Sequence, residues 1–257
     1  MKKALILGLA CVLLATGGLC NKERSWFFVR PTAEQSQPSW EGGFELADYN
    51  TYFLGDASRK EIFLTFDEGY ENGFTAPILD ILREKNVPAA FFVTKPYMRE
   101  HPDLIRRMID EGHIVGNHTV RHKSSPTLSD TELVAELVGV ADYFKENFGE
   151  EIPRFFRPPM GEYSERVLRV LKDEGYATIF WSFAYADWQR DKQPSAAEAH
   201  KKVVEGLHNG AVLLLHAVSS ANAQALGDII DSARAAGYEF KCLYHLTASQ
   251  WPPIFEN

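Results

Sequence analysis

Cysteine is almost absent from this chain. Of 257 residues only Cys11, Cys20 and Cys242 are cysteines, and the first two lie in or beside an N-terminal apolar run. With one clear cysteine left beyond that run, no intrachain disulfide framework can exist. Cys242 follows Phe240-Lys241 in an apolar stretch and reads as a core thiol. Basic charge is also scarce. Against 35 acidic residues stand 27 Lys and Arg, a net charge of −8, which argues against nucleic acid as the main partner. A membrane-spanning run is the third shortage. Ala4 to Ala15 is apolar but shorter than the roughly 20 residues a span needs. Preceded by Lys2 and Lys3 and followed by Thr16-Gly17-Gly18, it has the layout of a secretory signal. Residues 1–20 are therefore expected to be removed, and the protein to act in the cell envelope or outside the cell without a stable membrane span. Lipid attachment at Cys20 is the alternative, and the bulky Leu19 just before it speaks against it.

Residues 21–60 show no clean period and carry Trp26-Phe27-Phe28, Pro31, Pro38 and Trp40. They read as an extension that packs its aromatic rings onto a domain spanning 61–257. From Glu61 onward short apolar runs alternate with amphipathic ones. Strands are expected at 62–66, 89–93, 113–117, 154–157, 177–182, 211–215 and 239–243. Helices are expected near 74–85, 102–111, 129–148, 164–174, 195–208 and 221–236. Ser129 and Glu132 form a capping box for the long helix. Such alternation predicts an α/β fold with a parallel sheet of about seven strands, either a closed barrel or an open doubly wound sheet. In both, functional residues gather at the C-terminal ends of strands.

Candidate residues stand at those ends. The run Ile62-Phe63-Leu64-Thr65-Phe66 stops at Asp67-Glu68-Gly69-Tyr70. Adjacent acids repel, so a metal ion, an arginine or a shared proton must hold them. His118 and His122 are four residues apart, a spacing that lets a helical turn aim both at one metal, though two surface histidines share it. Arg157-Pro158-Pro159-Met160-Gly161 is a rigid turn whose Met160 and Gly161 amides could face an oxyanion; a loop stiffener with a surface arginine looks the same. Trp181 to Trp188 combines aromatic walls, suited to sugar rings, with Asp187, and core packing is the even alternative. His216 ends the run Val212 to Leu215 and could protonate a leaving amine, or be a satisfied core histidine. On the long helix, Glu132, Glu136, Lys145 and Glu146 read as a solvated face. His113, His200, His208 and His245 receive no role.

These segments, in this order over about residues 60–245, resemble the polysaccharide deacetylases with a NodB homology domain, carbohydrate esterase family 4. Thr65 to Gly73, Leu54-Gly55-Asp56 and Leu215-His216-Ala217-Val218-Ser219 look like the delta-lactam-biosynthetic, PdaA-like members. The resemblance implies a distorted (β/α) barrel and a divalent metal ion, with zinc first and cobalt or manganese as alternatives. It makes Asp67 the general base and His216 the general acid, with Glu68, His118 and His122 as metal ligands. Arg157 would orient Asp67, and Asp187 would join the charged network behind Arg157 and His216. Met160 would stabilise the oxyanion through its amide, and Trp188 and Leu214 would shape the acetyl pocket. The implied substrate is the glycan strand of peptidoglycan, at N-acetylmuramic acid, as a step to muramic delta-lactam in spore cortex. An N-acetylglucosamine deacetylase acting on peptidoglycan or chitin oligomers, and a catalytically impaired wall-binding protein, are the alternatives. The chain departs from the family pattern at Glu68, usually Asp, at Met160, usually aromatic, and at Ala184, often an acid.

Overall fold

The first long strand, Glu61–Glu68, explains the architecture. Its alternate residues face two different apolar layers, the period-two pattern of a strand buried on both sides. Ile62, Leu64 and Phe66 pack with helix residues such as Ile78, Leu82 and Ile229. Phe63 packs instead with Phe92, Ile114, Ile179 and Val212 in the interior. The computed structural model describes residues 22–30 and 37–247; the expected signal segment and Cys20 lie outside them.

The main sheet is parallel throughout. Its order runs Thr51–Tyr52, Ala177–Ile179, Phe155–Phe156, Ile114–Asn117, Ala89–Val93, Glu61–Glu68, Ala211–His216 and Phe183–Ala184. Glu239–Phe240 pairs in parallel with the start of Glu61–Glu68. The stretch expected as one strand at 177–182 is broken. Its first half pairs with Phe155–Phe156, and its continuation with Ala211–His216. Between them the Phe180 amide bonds the Tyr52 carbonyl at 2.8 Å and the Ser182 amide bonds the Val212 carbonyl at 3.0 Å. One interrupted strand thus touches both sides and curls the sheet into a distorted barrel, with helices Thr75–Lys85, Pro102–Asp110, Asp130–Phe148, Glu165–Asp173, Ala196–Glu205 and Ser220–Ala235 outside.

Other departures from the sequence expectation have local causes. A helix at Lys95–Glu100 forms where none is expected, capped by the Thr94 hydroxyl. The last expected strand stops at Phe240, and Leu243–Thr247 is helical. Thr51–Tyr52 is hydrogen-bonded into the sheet, so the boundary expected near residue 60 does not fall at the sheet's edge. Upstream, Arg24–Ser25 pairs antiparallel with Glu162–Tyr163. Trp26 stacks on Phe180 at 4.1 Å between centroids, and its indole N–H donates to the Trp181 carbonyl. No helix among the described residues is long and apolar enough to cross a membrane.

Candidate active site

The C-terminal ends of the barrel strands open into a pocket of about 680 Å³. Register builds its centre. Asp67 and His216 are direct cross-strand partners on adjacent parallel strands, so their side chains leave the sheet on the same face. Both line the pocket, with His118, His122, Met160, Trp188 and Leu214.

Asp67 is held by Arg157, whose Nη1 donates to Oδ1 at 2.7 Å. Arg157 is fully buried rather than a surface residue. Its Nε donates to the Ile179 carbonyl, and its guanidinium lies over the Phe92 ring at 4.2 Å. Burial alone would raise the Asp67 pKa. The Arg157 charge, with those of His118 and His216, outweighs it and holds the carboxyl below its usual range. Asp67 is therefore a carboxylate ready to accept a proton.

His216 is oriented from behind by Asp187. Its ring Nδ1 donates to Asp187 Oδ1 at 2.7 Å, and its main-chain N–H donates to Oδ2 at 2.8 Å. Burial lowers the His216 pKa, but the hydrogen bond and charge of Asp187 raise it further, so it lies above the ordinary value. With Nδ1 engaged, Nε2 is the proton-bearing atom left for the pocket. No hydrogen bond joins Asp187 to Arg157 among the described residues. The network runs instead through Asn222, whose side-chain amide donates to Asp187 Oδ2 at 2.7 Å and which also bonds Tyr185. Asn222 had no signal in the sequence, because an asparagine in the first turn of a helix is ordinary.

The histidine pair arrives by a route the spacing does not predict. Residues 118–122 form an irregular loop, not a helical turn, and Thr119 and His122 adopt φ of 73° and 51°. Positive φ at a β-branched residue is strained. The loop is held by its neighbours: Asn117 Oδ1 accepts from the Thr119 amide and Thr119 Oγ1 from the His122 amide. Glu136 Oε2 accepts from the Val120 and Arg121 amides at 2.7 and 2.8 Å. Glu136, expected on a solvated face, is only 2% exposed and serves as the internal anchor of this loop. The two imidazoles meet at 4.9 Å between centroids. His118 Nδ1 donates to the Arg157 carbonyl at 2.8 Å, which turns Nε2 towards the pocket.

Glu68 stands apart. Alternation along the strand turns it to the helix side, beneath Tyr97 and Glu71, and it does not line the pocket. It is 0% exposed, and neither carboxyl oxygen has a hydrogen-bond partner. Burial, then the charges of Glu71 and Asp67, push its pKa well above the usual range. The expectation that Glu68 is a metal ligand is corrected by this geometry.

Among the described residues no three His, Cys, Asp or Glu side chains form a ready-made metal cluster. The chemistry of the two histidines fits a divalent ion nonetheless. Burial holds the His118 pKa at about 4 and lowers that of His122, so both are neutral donors at neutral pH. The carbonyl behind His118 fixes its tautomer, as outer partners of ligating histidines do. Asp67 Oδ2 lies 3.8 Å from His118 Nε2, beyond a hydrogen bond.

On the facing wall Met160 has φ of 58° and is 55% exposed. The Gly161 amide, the second candidate for an oxyanion, donates instead to the Pro158 carbonyl. Gly161 has φ of 67°, and a Cβ there would come within 2.8 Å of the Trp181 ring and 3.1 Å of Trp26. Trp188 stands beside His216, 5.7 Å between centroids, and Leu214 forms the buried floor.

The sequence pattern of the polysaccharide deacetylase family matches residues 54–179. The peptidoglycan-N-acetylmuramic acid deacetylase PdaA of Bacillus subtilis is 38% identical over 91% of this chain and 91% of its own length. Its solved structure, a family 4 carbohydrate esterase, superposes with a TM-score of 0.85 at 37% identity, over 91% of this chain and 100% of that one. A family 4 carbohydrate esterase from Bacillus anthracis superposes with a TM-score of 0.75 at 40% identity, over 90% of this chain and 99% of that one. A peptidoglycan-N-acetylglucosamine deacetylase of Bacillus cereus is 30% identical over 80% of this chain and 74% of its own length.

Proposed function

Because the chain belongs to the polysaccharide deacetylases of carbohydrate esterase family 4, we propose that it removes the N-acetyl group from N-acetylmuramic acid in peptidoglycan. The observation that carries this reading is the pairing of Asp67 with Arg157 and of His216 with Asp187 across one pocket. One group is set to take a proton and the other to give one, and amide hydrolysis needs both.

In the proposed reaction Asp67 takes a proton from a water whose oxygen adds to the acetamide carbon. The Met160 N–H faces the oxygen on which negative charge develops. His216 delivers its Nε2 proton to the sugar nitrogen as the C–N bond breaks, leaving acetate and a free amine. Trp188 and Leu214 enclose the acetyl methyl and keep competing water away. A divalent ion at His118 and His122, with zinc first and cobalt or manganese as alternatives, would polarise the carbonyl and make the water more acidic.

The free amine produced beside the lactyl group can attack its carboxyl carbon and close a delta-lactam with loss of water; in this reading the product belongs to modified spore cortex and the protein acts outside the membrane. Purified protein given amidase-treated peptidoglycan and zinc should release acetate and form muramic lactam. Asp67→Asn should lose at least about 100-fold in rate. Acetate release undiminished in that variant would remove Asp67 as the base, and none from the wild type would leave the impaired wall-binding reading in its place. Mass spectrometry of the product separates the glucosamine reading, which the Bacillus cereus relative motivates, by showing which sugar carries the amine.

A further inference from the structure

We propose that Arg121 is the residue with which this pocket recognises a free carboxylate on its substrate. In the muramic acid reading, on which the inference rests, that carboxylate is the lactyl group bared by removal of the peptide. Arg121 lines the same pocket as Asp67, His122 and His216. Its backbone N–H and its Nε are both held by Glu136, which is buried, so the base of the guanidinium is fixed in place. The side chain is nevertheless 50% exposed, and among the described residues Glu136 is the one side chain it hydrogen-bonds, with the charge of Glu132 nearby. A guanidinium carries five N–H donors, and the planar edge left over matches a carboxylate.

The surroundings favour an anion. Asp67 is the one acid lining the pocket, and Arg157 matches its charge. A second guanidinium, that of Arg190, lies 5.1 Å from the ring centroid of Tyr70, which also lines the pocket. Glu136 in turn matches the charge of Arg121, so what the pocket offers an anion is the free edge of that guanidinium rather than a net positive charge. Position agrees with chemistry as well. In muramic acid the lactyl ether sits on the carbon next to the one bearing the acetamide, so whatever holds the carboxylate must border the reacting carbonyl. Arg121 directly precedes His122, whose ring lines that wall. A lactyl group still in amide linkage to a peptide has no negative charge to offer. Arg121 therefore tests for completed peptide removal, and an amidase that cleaves the lactyl–peptide bond must act first.

The experiment compares kcat/KM for peptide-free glycan with that for the same glycan whose lactyl carboxyl has been converted to the primary amide. Wild type should prefer the acid by about tenfold or more, as expected for one charged hydrogen-bonding partner. In Arg121→Gln the ratio should fall towards one, chiefly through a higher KM. Arg121→Lys keeps a cation for Glu136 but lacks the fork, so it should melt like wild type and retain only part of the preference. An unchanged ratio in both variants overturns the proposal, as does an equal loss on both substrates through kcat alone, which assigns Arg121 to positioning His122. A wild type active on both muramoyl forms without preference overturns this inference alone. Activity confined to N-acetylglucosamine oligomers overturns the muramic acid reading and this inference with it.

Discussion

Asp67 and Glu68 are chain neighbours with opposite fates. Both are removed from water, but only Asp67 finds a cation, so the same burial leaves one ionised and drives the other neutral. Glu68 holds its proton to higher pH in the folded chain than its ordinary value of 4.5. Its contribution to stability is therefore complete below that value and is lost as pH rises through the folded one. Glu68→Leu, which deletes two unpartnered oxygens, should stabilise the fold by about 1–3 kcal/mol at pH 8 and by less at pH 4.5. Denaturant midpoints at the two pH values check this; a variant less stable at pH 8 would sink it. His216 carries the second prediction at this scale. As the proposed proton donor it must be charged, so activity should fall as pH rises through its raised value. Asp187→Asn removes the interaction that raises it and leaves burial in control. The alkaline limb of the kcat profile should move to lower pH, while the acidic limb, set by Asp67, stays in place. An alkaline limb that did not move would assign the donor role elsewhere.

Among elements, the loop from His118 to His122 is the one most dependent on others. Glu136, on the long helix Asp130–Phe148, satisfies two of its amides and the Arg121 side chain. Glu136→Gln should weaken zinc binding by about 10–100-fold, the usual effect of losing a partner behind the ligands. Zinc titration of the purified protein measures it, and an unchanged affinity would show that the loop holds its shape unaided. The long helix itself was legible in the sequence, since the Ser129–Glu132 box is a local signal and is present in the structure. So were Ala89–Val93 and Ala211–His216, whose apolar runs have no competing period. What was not legible depends on contacts distant in sequence. The buried state of Glu136 depends on a loop 15 residues upstream. The break after Ile179 depends on two different strands competing for one segment. Glu68 turned out wrongly assigned for a simpler reason: its strand runs through Glu68 rather than ending before it, and alternation then decides its face.

For the molecule as a whole, the beginning of the described chain acts on its middle. Trp26 bonds the Gly161 carbonyl through its amide and the Trp181 carbonyl through its indole, and stacks on Phe180. It thereby joins the Met160 turn to the segment that completes the barrel. Trp26→Ala should cost about 3–5 kcal/mol and lower kcat more than it raises KM, because the turn proposed to face the oxyanion loses its backing. Thermal melting with steady-state kinetics tests both parts; a large loss of stability with unaltered kcat would confine Trp26 to the core.

Register has a further consequence. The proposed base and acid, Asp67 and His216, sit opposite each other on one hydrogen-bonded ladder. Their backbone separation is then a strand spacing, about 4.8 Å, set by peptide geometry rather than by side-chain packing. Sequence drift in the core can change volume and stability without moving it. A slip of one residue is different in kind, because it would turn one of the two groups out of the pocket altogether. The catalytic distance is thus inherited digitally, in whole residues, while the loops around it remain free to vary with the glycan they meet.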